Sequence, residues 1–170
     1  KGKKYDCLIG LSGGVDSSYT LHKAVEMGLR PLCFSVDNGW NDPKADENIM
    51  RLVETLKVPF YRYTIDTRRF KELQAAFFKA GLINAEIPTD HILMATTYEM
   101  AAKYGIKYVI SGGNIATEGI MPASWSYNAR DLVHIKDVYR RMMGKELTGL
   151  PVCSLLKWNC APKVFSSWIA

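Results

Sequence analysis

The chain has 170 residues, 48% of them hydrophobic, and 22 Lys and Arg against 17 Asp and Glu give it a net charge of +5. That supports one core, read as a single domain over 1–170, and a charge that suits a small anionic substrate but is too modest and dispersed to point to nucleic acid. No apolar window is long enough for a membrane span, and the basic start Lys1-Gly2-Lys3-Lys4 leads into a run broken at Asp6 and Gly13 rather than into a secretory core, so no membrane and a cytoplasmic setting are expected.

In chain order, residues 5–10 read as a strand, 16–28 as a helix ending at Gly28, and 31–36 as a second strand. A helix over about 45–57, a strand over 60–64 and a helix over about 67–80 ending at Gly81 follow. Pro88-Thr89-Asp90 opens another helix that runs to Tyr104 or Gly105, with Thr89 or Asp90 as its N-cap and His91 exposed on the first turn. Residues 107–110 form a fourth strand. From 112 onward the pattern loosens, apart from a helix over 131–143. Alternating strands and helices predict an α/β fold, a doubly wound parallel sheet with helices on both faces. The cysteines Cys7, Cys33, Cys153 and Cys160 contain no CxxC pair, which argues against both zinc and disulfides.

Function in such sheets lies at the carboxyl ends of the strands, where the winding reverses. There, Leu11-Ser12-Gly13-Gly14-Val15-Asp16-Ser17-Ser18 joins the first strand to its helix. Gly13 and Gly14 permit positive φ and close backbone approach, the helix start adds free amides and the positive end of its dipole, and Ser12, Ser17 and Ser18 add hydroxyls. Together they read as a phosphate cradle. Asp16, a carboxylate beside an anion, is read as both helix N-cap and Mg²⁺ ligand. Ser111-Gly112-Gly113-Asn114 ends the fourth strand and faces the same crevice if strands one and four are neighbours. Neither a Walker loop nor a Gly-x-Gly-x-x-Gly loop is present.

The string Ser12-Gly13-Gly14-Val15-Asp16-Ser17-Ser18 resembles the PP-loop signature of the ATP pyrophosphatase superfamily, with the adenine nucleotide alpha hydrolase-like fold. The resemblance implies ATP and Mg²⁺ as cofactors, cleavage to AMP and pyrophosphate, and adenosine contacts along Ser35, Val36 and Asp37; the alternative for Asp37-Asn38-Gly39 is an ordinary turn. The stretches from Ser111 to Pro122 and from Ser124 to Asp131, with Asp37-Asn38-Gly39-Trp40-Asn41, resemble N-acetyl sugar amidotransferases of bacterial surface-polysaccharide synthesis. That family is usually longer, with a cysteine-containing segment before the first strand, so the sequence reads as a fragment of such a chain, with 112–170 as acceptor and lid region. The implied reaction turns an acetamido group on a nucleotide-linked or acidic sugar into an acetamidino group, for lipopolysaccharide or related glycans. Its partners are the N-acetyl sugar and a glutaminase subunit supplying ammonia, since no Gly-x-Cys-x-Gly elbow is present.

The catalytic candidates are Asp16, Ser17, Arg130 and Lys157, with Lys136 as a further cation; each lone Lys or Arg also reads as a solvated surface charge. Asn114 and Glu118 are acceptor or metal contacts, and Trp125 and Tyr127 are stacking platforms or packing anchors. A tRNA-thiolating PP-loop enzyme is the alternative, with Cys153 as sulfur carrier and Arg140, Arg141 and Lys145 as a basic surface. A non-catalytic nucleotide-binding module is the third reading.

Overall fold

Leu8 and Ile9 are fully buried, which makes the strand that carries them central. The computed structural model describes residues 4–113, 122, 128–154 and 163–166. Its sheet has five strands in the order β3-β2-β1-β4-β5: β1 (Cys7–Gly10), β2 (Pro31–Asp37), β3 (Phe60–Thr64), β4 (Tyr108–Ser111) and β5 (Lys163–Ser166). β1 pairs in parallel with β2 and with β4, and β4 with β5. The helices are α1 (Val15–Glu26), α2 (Pro43–Leu56), α3 (Thr67–Lys79), α4 (Ile87–Lys103) and α5 (Leu132–Met143). The doubly wound α/β fold is therefore present, and its winding reverses between β1 and β4. β5 was not anticipated, because Lys163-Val164-Phe165-Ser166 is too short to carry a strand pattern of its own.

The described chain divides into two compact units, one of residues 1–63, 97–120 and 162–170, the other of 64–96 and 121–161. In the first, Cys7, Ile9 and Leu11 alternate toward one face, where Cys33 and the α1 and α2 residues Leu21, Ala24, Ile49 and Val53 close over them. Burial of each large side chain contributes roughly 1.5–3 kcal/mol. The same burial pushes the Cys7 thiol up to about 11 and the Cys33 thiol up to about 12, so both are inert.

Caps explain the boundaries that differ from expectation. α2 starts at Pro43, not 45, because the Asp42 carboxylate accepts the Lys44 N–H at 2.7 Å and Pro43 fits the first turn. β1 starts at Cys7, not 5, and Asp6 instead binds Arg30 through Nε at 3.0 Å and Nη2 at 2.8 Å, which holds its carboxyl down at about 2. α4 starts at Ile87, ahead of the expected opener. The Asp90 N–H already donates to the Glu86 carbonyl at 3.0 Å, so Thr89 and Asp90 lie within the first turn and do not cap it.

The second unit packs Phe70, Leu73 and Phe77 of α3 and Ile135, Val138 and Tyr139 of α5 into its interior, with Phe77 edge-on to His134 at 6.1 Å. His91, expected to be exposed, is 1% exposed. Its Nε2 accepts the Cys153 N–H at 3.2 Å, so the proton sits on Nδ1, which donates to the Ala129 carbonyl at 2.6 Å. The ring thus ties α4 to two loops that sequence separation keeps apart. Burial holds its pKa below the ordinary histidine value.

A depressed histidine pKa means that the unfolded chain takes up a proton first as pH falls, so this contribution is present above about pH 6.5 and is lost on acidification until the folded pKa is passed. Urea midpoints between pH 7.5 and 5 are expected to fall in the native chain. The His91→Gln variant should be less stable at pH 7.5 and show a shallower fall. An equal slope in both chains would remove His91 as its source.

Candidate functional site

Past the end of β1 the ladder continues for one more bond, Leu11 N–H to the Phe34 carbonyl at 2.8 Å, and then Ser12 leaves the sheet. Gly13 turns the chain at φ +78°, while Gly14 is extended at φ −85°, ψ 171°. The loop folds onto its own serines. The Ser17 hydroxyl donates to the Gly14 carbonyl at 3.3 Å and accepts the Ser12 N–H at 3.2 Å, with the Ser12 hydroxyl 3.1 Å away. Ser12 Oγ in turn accepts the Gly14 N–H at 3.3 Å, and the Ser18 hydroxyl donates to the Gly14 carbonyl at 2.7 Å. The Ser12 and Gly14 amides are thus both taken up by serine hydroxyl oxygens of the loop itself.

The N-cap of α1 is Gly14, not Asp16. Gly14 holds the cap because its carbonyl already accepts the Ser18 N–H at 3.2 Å. Asp16 is the second helical residue, its carboxylate exposed on the first turn, where the dipole favours it. The capping half of its expected role is thus corrected, and the position as a cation ligand beside the loop stays open to test.

The second glycine loop reaches the first. A Cβ on Gly112 would lie 2.8 Å from the Asp16 carbonyl carbon and 2.9 Å from the Ser17 nitrogen. Only a residue without a side chain permits that approach of backbone to backbone. Ser111 Oγ accepts the Gly113 N–H at 3.1 Å and so shapes this turn. Ser111, Gly112 and Gly113 thus join Ser12 to Ser18 at adjacent strand ends. Asn114 and Lys157 fall outside the described residues, as do Glu118, Trp125, Tyr127 and Cys160.

On the other side, β2 ends beside the loop. Ser35 is 4% exposed, and its hydroxyl has no hydrogen-bond partner among the described residues, a state that costs roughly 1–3 kcal/mol. Val36 is buried, and Asp37 accepts the Gly39 N–H at 3.2 Å, so Asp37-Asn38-Gly39 is a turn in its own right. Two residues of α2 went unread in the sequence. The Ala45 backbone would collide with a Cβ on Gly13, its Cα lying 2.7 Å from that position, and Asn48 Nδ2 donates to the Gly13 carbonyl at 3.3 Å.

Arg130 belongs to the second unit, in the turn before α5, where its N–H donates to Asn128 Oδ1 at 2.9 Å; Lys136 is on α5. The basic cluster is internally paired: Arg140 and Arg141 both reach Asp137 at 2.8 Å, and Lys145 reaches Glu72 at 2.7 Å.

No family model matches the chain. It is 27% identical over 116 residues to an uncharacterized protein of Methanocaldococcus jannaschii, an alignment that takes in 66% of this chain and 39% of that one. Among solved structures it is similar to NMN synthetase from Francisella tularensis, with a TM-score of 0.53 and 22% identity over 66% of this chain and 47% of that one. It is similar also to glutamine-dependent NAD+ synthetase from Acinetobacter baumannii in complex with ADP, with a TM-score of 0.55 and 22% identity over 70% of this chain and 23% of that one. For the NH3-dependent NAD synthetase of Campylobacter jejuni the TM-score is 0.53, at 16% identity over 84% and 67%. The chain thus spans about two fifths of the curated relative and under half of the first two synthetases. At 22% identity or less these likenesses show the fold, the adenine nucleotide alpha hydrolase-like one.

The glycines separate in what they tolerate. Gly13→Ala adds positive-φ strain to a collision with the α2 backbone, and Gly112→Ala drives a methyl into the α1 start, so each is expected to cost about 2–4 kcal/mol in urea unfolding. Gly14→Ala meets only Ser12 Oγ at 3.4 Å, ordinary contact, and should stay within about 1 kcal/mol of the native chain. Three equal losses would mean that the loop is not clamped as described.

Proposed function

We propose that this chain is the ATP-using part of an N-acetyl sugar amidotransferase that forms AMP and pyrophosphate. The observation that carries the nucleotide half of the reading is the seating of Gly112 against the Asp16–Ser17 backbone, which brings two glycine loops together where the sheet reverses. The sugar half rests on the resemblance of the segments around Ser111–Pro122 and Ser124–Asp131.

In this reading the amides of Gly13 to Ser17 and the hydroxyls of Ser12, Ser17 and Ser18 receive the pyrophosphate portion of ATP. Ser35, Val36 and the Asp37 turn line the nucleoside, and the Ser35 hydroxyl, without a partner among the described residues, gains one there. Mg²⁺ supplies charge neutralisation between the phosphates, and Asp16 is the residue to hold it; among the described residues no cluster of three or more His, Cys, Asp or Glu offers a cage independent of the nucleotide. Arg130, Lys157 and Asn114 serve the acceptor and the departing groups.

The chemistry asks for positioning rather than for an elaborate acid–base array. The acetamido oxygen bonds to the α phosphorus as the bond to pyrophosphate breaks. Ammonia adds to the activated carbon, AMP departs with the former amide oxygen, and the product is an amidinium with one proton released. A separate glutaminase subunit is the source of ammonia.

Tracing the label of γ-³²P-ATP decides the first half. Pyrophosphate should carry it, and labelled orthophosphate in the absence of pyrophosphatase would overturn adenylation. The second half is checked by mass spectrometry of N-acetyl sugar nucleotides incubated with ATP. Amidine should form with concentrated ammonium at alkaline pH and not with glutamine, until a glutaminase is added. Glutamine use by the chain alone would overturn the partner assignment. Sulfur incorporation into tRNA would overturn the sugar reading.

A further inference from the structure

We infer that Asn48, on α2, is a positioning residue that fixes the Gly13–Gly14 peptide with its N–H facing the anion. The inference rests on the nucleotide reading above and adds a residue that lies 35 positions from the loop it serves.

The peptide between Gly13 and Gly14 is the point in the loop with least resistance to rotation, because neither flanking residue has a side chain. In a trans peptide the C=O and N–H point in opposite directions, so fixing one aims the other. Asn48 Nδ2 donates to the Gly13 carbonyl at 3.3 Å. The Gly14 N–H is thereby turned the other way, to Ser12 Oγ at 3.3 Å, inside the ring of serine hydroxyls. If the peptide turned over, its carbonyl would face the anion and repel it, and the Asn48 amide would lose its acceptor.

The rest of α2 keeps Asn48 at that distance. Ala45, one turn earlier, abuts Gly13 backbone to backbone. Asp46 accepts from Arg62 Nη1 of β3 at 2.7 Å and from Asn41 Nδ2 at 3.3 Å, while Ile49 and Val53 sink into the core. Asn48 therefore stands on a rigid element, which is what a positioning group needs.

Calorimetric titration of the native chain and of Asn48→Ala, Asn48→Gln and Asn48→Asp with Mg-ATP and with adenosine tests this, with thermal melts of all four. Asn48→Ala should bind ATP about 5- to 10-fold more weakly, the worth of one net hydrogen bond, with adenosine affinity unchanged and the melt little shifted. Asn48→Asp puts a carboxylate against the Gly13 carbonyl and should lose more, whereas Asn48→Gln keeps a donor and should regain part of the ATP affinity. Equal loss of ATP and adenosine, or loss of neither, would overturn the role of Asn48 while leaving the nucleotide reading intact. Failure of the native chain to bind ATP would overturn both.

Discussion

Backbone pressed on backbone at two points sets the terms for everything around the first strand. Gly13 lies against Ala45 of α2, and Gly112 lies against Asp16 and Ser17 at the start of α1. Neither contact leaves room for a methyl group, so the loop between β1 and α1 is held from both sides by elements that are themselves fixed. α2 is fixed by its Asp42 cap, its Asp46–Arg62 pair and its buried Ile49 and Val53. β4 is fixed by its parallel register with β1, Leu8 opposite Val109 and Ile9 opposite Ile110.

A loop held this way leaves little to order around whatever it receives. The loop itself is largely exposed, and it is the two backbone contacts at Gly13 and Gly112 that limit how far its peptides can turn. Serine hydroxyls accept the Ser12 and Gly14 amides, and an anionic oxygen in their place would replace a neutral hydrogen bond with a charge-assisted one. Ser35 extends the same economy along β2. Its buried hydroxyl has no hydrogen-bond partner among the described residues, a local loss in stability of the kind that accumulates where a fold is shaped for a ligand.

What the sequence made legible was local. Ser12 to Ser18 declared a strand-to-helix loop, because two glycines and serines between an apolar run and an amphipathic one mark such a turn, and strand alternation declared the fold. Asn48 and Ala45 were silent, since nothing in Asp46-Glu47-Asn48-Ile49 distinguishes a helix surface from a helix leaning on a distant loop. His91 misled for the same reason: helix position suggests exposure, and only the tertiary fold brings Ala129 and Cys153 to its two nitrogens. Asp16 misled through competition between caps. A carboxylate two residues into a helix looks like a cap, but the Gly14 carbonyl had already taken that place with three donors.

The second unit holds the residues on which the thiolation reading rests. A sulfur carrier must present an accessible thiolate, and Cys153 is a buried residue, 7% exposed, its thiol 3.7 Å from the Ser154 carbonyl and its backbone N–H committed to His91. Arg140, Arg141 and Lys145 are likewise committed to Asp137 and Glu72, which lowers the positive potential that a polyanionic RNA would meet. Both features that spoke for thiolation are thus engaged within this unit, Cys153 with His91 and the cations with Asp137 and Glu72. Solved chains of this fold with 22% identity or less carry several different activities by name, so fold alone does not choose the acceptor. Amide and aromatic side chains such as those of Asn114, Trp125 and Tyr127 suit a sugar ring and a nucleobase alike, so the composition of that stretch separates acceptors no further than the fold does.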